Sequence, residues 1–164
     1  MQNEIFLIIA GNSVAWFLVT FITGTLIQRL PLRIFREDSF LFRTRGWERE
    51  GRLYRKLGIK WWKEILPDGA GVFQDGFRKK RMNGMGQLYV KRFILETCRA
   101  ELVHWVILGL VPLFFIWNPV EVAVWMIPFG LLINIPCVLT QRFNRPRLMR
   151  IMRKGLGRRD LSGN

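Results

Sequence analysis

The sequence predicts an all-α integral membrane protein with three transmembrane helices and cytoplasmic interfacial amphipathic helices. Three observations predict it. Half of the 164 residues are apolar although the formal net charge is +14. The 26 Lys and Arg residues form two blocks, 18 between Arg29 and Arg99 and 8 from Arg142 onward, with none in residues 1–28 or 100–141. The charge-free stretches have the length of membrane spans. A soluble nucleic-acid-binding domain distributes its basic residues over a surface and does not leave two long blocks without Lys or Arg. The basic excess therefore reads as the positive-inside signal of a membrane protein, and no nucleic-acid partner is implied.

Taken in order, Ile5–Ile27 is 23 residues without a charge. At ~1.5 Å per helical residue that crosses a hydrocarbon core of ~30 Å. A signal peptide would carry a basic leading segment and a small-residue cleavage site, so this stretch reads as a retained span, 5–27. The second span, 100–117, contains His104 as its one titratable side chain within Leu102–Trp117, and its helix is expected to start near Gln87. The third, 121–140, contains Pro128, Asn134 and Pro136, which neighbouring helices can accommodate. The short Ile116–Glu121 connection makes spans two and three an antiparallel hairpin. Both basic regions, 28–99 and 141–164, belong on the cytoplasmic face. That places a single multi-pass domain in the cell membrane with its N-terminus outside and its C-terminus inside. Trp117 and Trp125 then fall near the outer interface, where indole rings are enriched.

Between the first two spans, Trp47, Leu53, Tyr54, Leu57, Gly58 and Trp61 share one helical arc, with Arg49, Arg52, Arg55 and Lys56 opposite. That pattern predicts an amphipathic helix lying in the interface, its basic side toward anionic headgroups. Pro67-Asp68-Gly69 marks a turn, and the loop continues to Asn83-Gly84. In the tail, Pro146 suits a first helical position and Gly155 a stop. Two cysteines supply no disulfide framework, and Cys98 reads as a packing residue rather than a nucleophile.

Chemistry concentrates around one helix. Glu96, Glu101 and His104 fall within one ~140° arc at 100° per residue. An ionisable side chain about one turn inside the membrane boundary is by default a functional hypothesis. Glu101, at i−3, can hold the imidazole and fix its tautomer, making His104 a general base. The same spacing equally suits a His–Glu pair that only packs helices. Asn134 lies at matching depth on the third span. Just past the boundary, Arg145 and Arg147 can take phosphate or carboxylate bidentately, or serve as ordinary stop-transfer charge. Trp61 and Trp62 suit an interface anchor or a sugar platform. No nucleophile elbow, Walker or dinucleotide glycine pattern, or zinc ligand set is present, and no cofactor or metal is implied.

Glu96-Thr-Cys-Arg-Ala-Glu-Leu-Val-His-Trp105, followed by Gln141-Arg-Phe-Asn-Arg-Pro-Arg-Leu148, resembles the glycosyl-4,4'-diaponeurosporenoate acyltransferases of staphyloxanthin-type carotenoid biosynthesis. Lys60-Trp-Trp-Lys63, Leu66-Pro-Asp-Gly69 and the order of the spans agree, over about two thirds of the chain. The resemblance implies transfer of a fatty acyl group to a sugar hydroxyl of a glycosylated carotenoid or related glycolipid, with an acyl-CoA-type donor. Under it His104 and Glu101 are catalytic, and Arg99, Arg145 and Arg147 hold donor phosphates. Asn134 or Asn144 donates to the oxyanion, and Glu96, Trp61 and Trp62 complete the substrate site. The rival is a non-enzymatic lipid-binding or assembly subunit with a structural His–Glu pair.

Overall fold

The computed structural model describes residues 2–56, 58–59 and 87–161, and among these every regular element is helical. Helix α1 spans Gln2–Arg29, unbroken because no proline interrupts the ladder of amide-to-carbonyl bonds. Short 3-10 turns follow at Leu32–Ile34 and Gly46–Gly51, then a five-residue helix α2, Arg52–Lys56. Helix α3 runs Gln87–Leu110, starting where the sequence places it. Pro112 has no amide hydrogen to continue the ladder, and the chain tightens into a 3-10 turn over Val111–Ile116. Helix α4, Val120–Leu161, closes the order. Gln2–Arg29, Gln87–Ile116 and Val120–Arg153 are each long and apolar enough to cross a membrane.

Two expectations are corrected. The tail is not a separate helix beginning at Pro146 and stopping at Gly155, because α4 continues through both. Pro146 removes one amide hydrogen, and the helix continues past it. Nor is the Trp47–Trp61 arc one amphipathic helix. Gly51 and Gly58 adopt φ of 85° and 68°, left-handed values that end a right-handed helix, so the helical turn Arg52–Lys56 is separated from Trp47 on one side and from Ile59 on the other. The continuation at Trp61 lies outside the described residues, as do the expected turn and loop at 67–84.

The chain divides into two compact units, Met1–Pro31 with Leu102–Val138, and Leu32–Glu101 with Leu139–Asn164. In the first, α3 and α4 segments form the antiparallel hairpin expected from the short connection. A Cβ added to Gly130 on α4 would sit 2.8 Å from Val111 Cγ2 and 3.1 Å from the Trp16 ring, so only glycine permits this approach. Trp16 also packs on Phe114 and Phe129, with ring centroids 5.0 and 5.1 Å away. Toward the connection, Asn12 and Asn118 exchange side-chain hydrogen bonds of 2.9 and 2.8 Å, and Trp117 Nε1 donates to Asn12 Oδ1. The pattern is inverted relative to a water-soluble protein, for Asn12, Thr23 and Asn134 are buried while Phe6, Leu7, Trp125 and Leu132 are two-thirds or more exposed.

In the second unit, Tyr54 and Ile59 bury against Phe143, with Leu139 alongside. A second cluster joins Val90 and Ile94 of α3 to Leu148 of α4. The apolar residues of the predicted interfacial arc that bury thus do so against protein. Cys98 is fully buried and unbridged, as a packing residue would be.

Candidate functional site

His104 sits half-buried on α3, with Asn134 opposite on α4. His104 Nδ1 is 2.9 Å from Asn134 Oδ1. The Asn134 amide cannot be turned the other way without loss, because its Nδ2 donates to the Gly130 carbonyl at 2.9 Å. Oδ1 is therefore the acceptor, Nδ1 carries the hydrogen, and in the neutral imidazole Nε2 keeps its lone pair. Asn134 is buried, so this carbonyl-to-amide-to-imidazole chain is shielded from competition by solvent. Trp16, Phe17, Thr20, Ile107, Phe129 and Ile133 complete an open groove of about 280 Å³ with His104 and Asn134 on its wall. An apolar groove with one imidazole and few other polar groups has the lining to hold a hydrocarbon chain.

The second polar assembly lies in the other unit and is ionic. Arg142 donates from Nε to Glu101 Oε1 at 2.8 Å, from Nη1 to Glu48 Oε1 at 2.6 Å and from Nη2 to the Leu41 carbonyl at 2.6 Å. Arg145 donates to Glu101 Oε2 at 2.6 Å, to the Thr97 hydroxyl and carbonyl, and to the Phe42 carbonyl. Two carboxylates and two guanidinium groups alternate, so the formal charges cancel. Glu48, Glu101 and Arg145 are each at most 1% exposed, which is tolerable only because each charge is paired. The network ties Leu41–Glu48 to α3 and α4. Beside it, burial and then the Glu48 charge push the Tyr54 phenol up to about 12.

The expected pairing of Glu101 with His104 is replaced. Guanidinium donors make charge-assisted bonds that a neutral imidazole N–H cannot match, so both Glu101 oxygens go to arginine and His104 takes the amide. Arg145, expected to face a phosphate, is enclosed. Arg99 is also largely buried, donating to Glu96 at 3.1 and 3.3 Å with its guanidinium 5.8 Å from the Phe35 ring centroid. Arg147 is exposed, lying over Phe143, and Asn144 is half-buried. Trp61 and Trp62 lie outside the described residues. Sequence reasoning missed Trp16, Thr20 and Gly130 around the imidazole, and Glu48 and Arg142 in the ionic network. Glu48, an acid within a basic stretch, was the available signal for the network; nothing in the sequence pairs it with Arg142.

Together these features define a class: a protein that among its described residues is helical throughout, with three bilayer-length apolar helices and an imidazole of fixed tautomer in an apolar groove. Comparison with known families makes that particular. Residues 38–154 match the family model described as glycosyl-4,4'-diaponeurosporenoate acyltransferase, and the chain belongs to that family. It is similar to the glycosyl-4,4'-diaponeurosporenoate acyltransferases of Staphylococcus aureus strains USA300 and NCTC 8325 / PS 47, 29% identical over 143 residues that cover 86% of each chain. The protein of that name from the bovine strain RF122 / ET3-1 is 28% identical over the same share. No solved structure matches the chain. The resemblance carried by Glu96–Trp105 and Gln141–Leu148 is thereby upheld.

Proposed function

We propose that the protein is a membrane-embedded O-acyltransferase that moves a fatty acyl group from a coenzyme-A-type thioester to a sugar hydroxyl of a glycosylated carotenoid or related glycolipid. The family supplies the reaction class. The observation that carries the mechanism is the His104–Asn134–Gly130 chain, because it leaves Nε2 as the unprotonated nitrogen. In the reaction Nε2 accepts the proton of the sugar hydroxyl as its oxygen bonds to the thioester carbonyl carbon. The tetrahedral intermediate then collapses, the carbon–sulfur bond breaks, and the imidazolium returns the proton to the departing thiolate. Asn134 acts as a positioning residue. Arg147 is an exposed cation suited to a phosphate group. Arg145, Arg99 and Glu101 are engaged in ion pairs within their own unit and act in its architecture.

The inverted burial pattern supports membrane insertion, since large exposed apolar side chains on three bilayer-length helices are best covered by lipid. The partition of basic residues favours the N-terminus outside and the C-terminus in the cytoplasm. Both readings are tested with the full chain in nanodiscs supplied with an acyl-CoA and a glycosylated acceptor. His104→Gln should melt as the wild type does yet lose transfer by about 10²-fold or more, the usual worth of a general base. Transfer undiminished in His104→Gln would leave a lipid-binding or assembly subunit as the better reading. A reporter active outside at the N-terminus and inside at the C-terminus fits three spans, and termini on one side exclude them.

A further inference from the structure

We propose that Trp16 is a specificity residue, its indole N–H holding an oxygen on the hydrocarbon side of the acceptor's sugar, so that the groove selects a glycosyl ester over a glycosyl ether. In the groove His104 Nδ1 is bonded to Asn134, and Asn134 Nδ2 to the Gly130 carbonyl. Trp16 lines the same groove from α1, and its Nε1 is buried with no hydrogen-bond partner among the described residues. A buried donor without an acceptor costs stability, so its retention calls for a reason. Anchoring does not supply one. Indole rings concentrate at the two membrane interfaces, whereas Trp16 stands at the middle of Gln2–Arg29, where hydrocarbon offers no acceptor. Packing on Phe114 and Phe129 uses the ring and not its nitrogen. Helix α1 also lies outside residues 38–154, so the family match assigns Trp16 no role.

The ring's neighbours fix where its nitrogen stands. Trp16 Cη2 and Cζ2 lie 3.1 and 3.6 Å from the place of a Cβ on Gly130. Cζ2 is two bonds from Nε1, so the nitrogen-bearing edge adjoins Gly130. Gly130 precedes Asn134 by one helical turn, which sets the indole ~6 Å along α4 from the His104 contact, away from the basic end of the helix. That offset matches the width of one sugar ring. With a sugar hydroxyl at His104 Nε2, the anomeric oxygen and its bond to the aglycone fall beside Trp16. An ester puts a carbonyl oxygen there, and an ether lacks it. No acceptor covers Nε1 and the rings packed on Trp16 are apolar, so a neighbouring side chain that rotates to admit the oxygen breaks no hydrogen bond. Naming the sugar acceptor rests on the acyl-transfer reading above; the unpartnered donor does not.

The full chain, with isotope-labelled indole nitrogens, is placed in phosphatidylcholine nanodiscs without acyl donor, and Trp16→Phe identifies the Trp16 resonance. The anomeric palmitoyl ester of glucose should move that indole proton downfield, and hexadecyl glucoside should not. Supplied with an acyl-CoA, wild type should favour the ester, and Trp16→benzothienylalanine, which keeps the ring shape without the N–H, should lose about fivefold of that preference in kcat/KM, the worth of one neutral hydrogen bond. Its melting midpoint should be no lower than wild type, since the unpartnered donor is gone. His104→Gln should lose transfer yet keep the ester-induced shift. A shift with the ester in a wild type that acylates neither probe supports the Trp16 donor while sinking the acyl-transfer reading. A Trp16 resonance that the ester leaves in place, or that both probes move equally, overturns the proposal. So does an unchanged ester preference in the benzothienylalanine variant.

Discussion

Arg145 Nη2 and Glu101 Oε2 lie 2.6 Å apart with both side chains essentially inaccessible to solvent. An arginine next to a membrane boundary is ordinarily a surface charge. Here it is a core residue, and Glu101 shares it with Arg142 at 2.8 Å.

Glu101→Gln should destabilise the protein by ~3–5 kcal/mol, the cost of leaving buried guanidinium charge without its partner. Denaturant unfolding in detergent measures it. Replacing Arg145 by Met in the same chain should recover part of the loss, since the uncompensated charge goes with it. A Glu101→Gln protein as stable as wild type would mean that the network is solvated.

Arg145→Lys and Arg147→Lys should separate cleanly. Lysine cannot reach Thr97, Phe42 and Glu101 from one ammonium, so Arg145→Lys should cost ~1–3 kcal/mol for the buried groups left unsatisfied. Exposed Arg147 should tolerate lysine with stability changed by ~0.5 kcal/mol or less. Equal stabilities in the two variants would return Arg145 to plain membrane-boundary charge.

Asn134→Leu tests how the imidazole is held. It removes the acceptor from Nδ1, and the expected penalty of ~1–3 kcal/mol corresponds to a transfer rate lower by roughly 5- to 150-fold. The loss should appear in kcat with KM little changed, because the lost hydrogen bond orients the base and not the bound donor. A raised KM with kcat intact would point instead to direct substrate contact by Asn134.

Tyr54 should give the protein an alkaline sensitivity. Its phenol ionises at about 12 in the fold against 10.0 when free, since burial and the nearby Glu48 disfavour the phenolate. The unfolded chain thus releases this proton first as pH rises. Stability from this group is intact below about pH 10 and declines as pH climbs toward 12. Unfolding of wild type and Tyr54→Phe compared across that range isolates the effect, and wild type should lose stability relative to Tyr54→Phe as pH rises. Parallel curves would show that the phenol is solvated.

Much of the fold was legible because each helix reports itself. The charge-free run of Ile5–Ile27 and the start at Gln87 both emerge from local composition, and α1 and α3 follow them. The tail was misjudged because Pro146 and Gly155 are weak local signals beside the packing of Phe143 and Leu148 on one continuous α4. Similarly, the interfacial arc was drawn through Gly51 and Gly58, whose positive φ is a backbone choice that residue periodicity does not report.

By itself the sequence determined three apolar segments of bilayer length, the segregation of every Lys and Arg, His104 as the one imidazole, and the family. Each is a property of composition or of contiguous motif, complete without a fold. What only the tertiary structure decided was partnership. Helical periodicity places Glu101 and His104 within the same arc, and that is as far as a single helix can speak. A hydrogen bond is settled by competition among every donor that folding brings near. Arg142 and Arg145, 41 and 44 residues along the chain, win the carboxylate because their charge makes the stronger bond. Asn134, 30 residues from His104, takes the imidazole because its own amide is already anchored to Gly130.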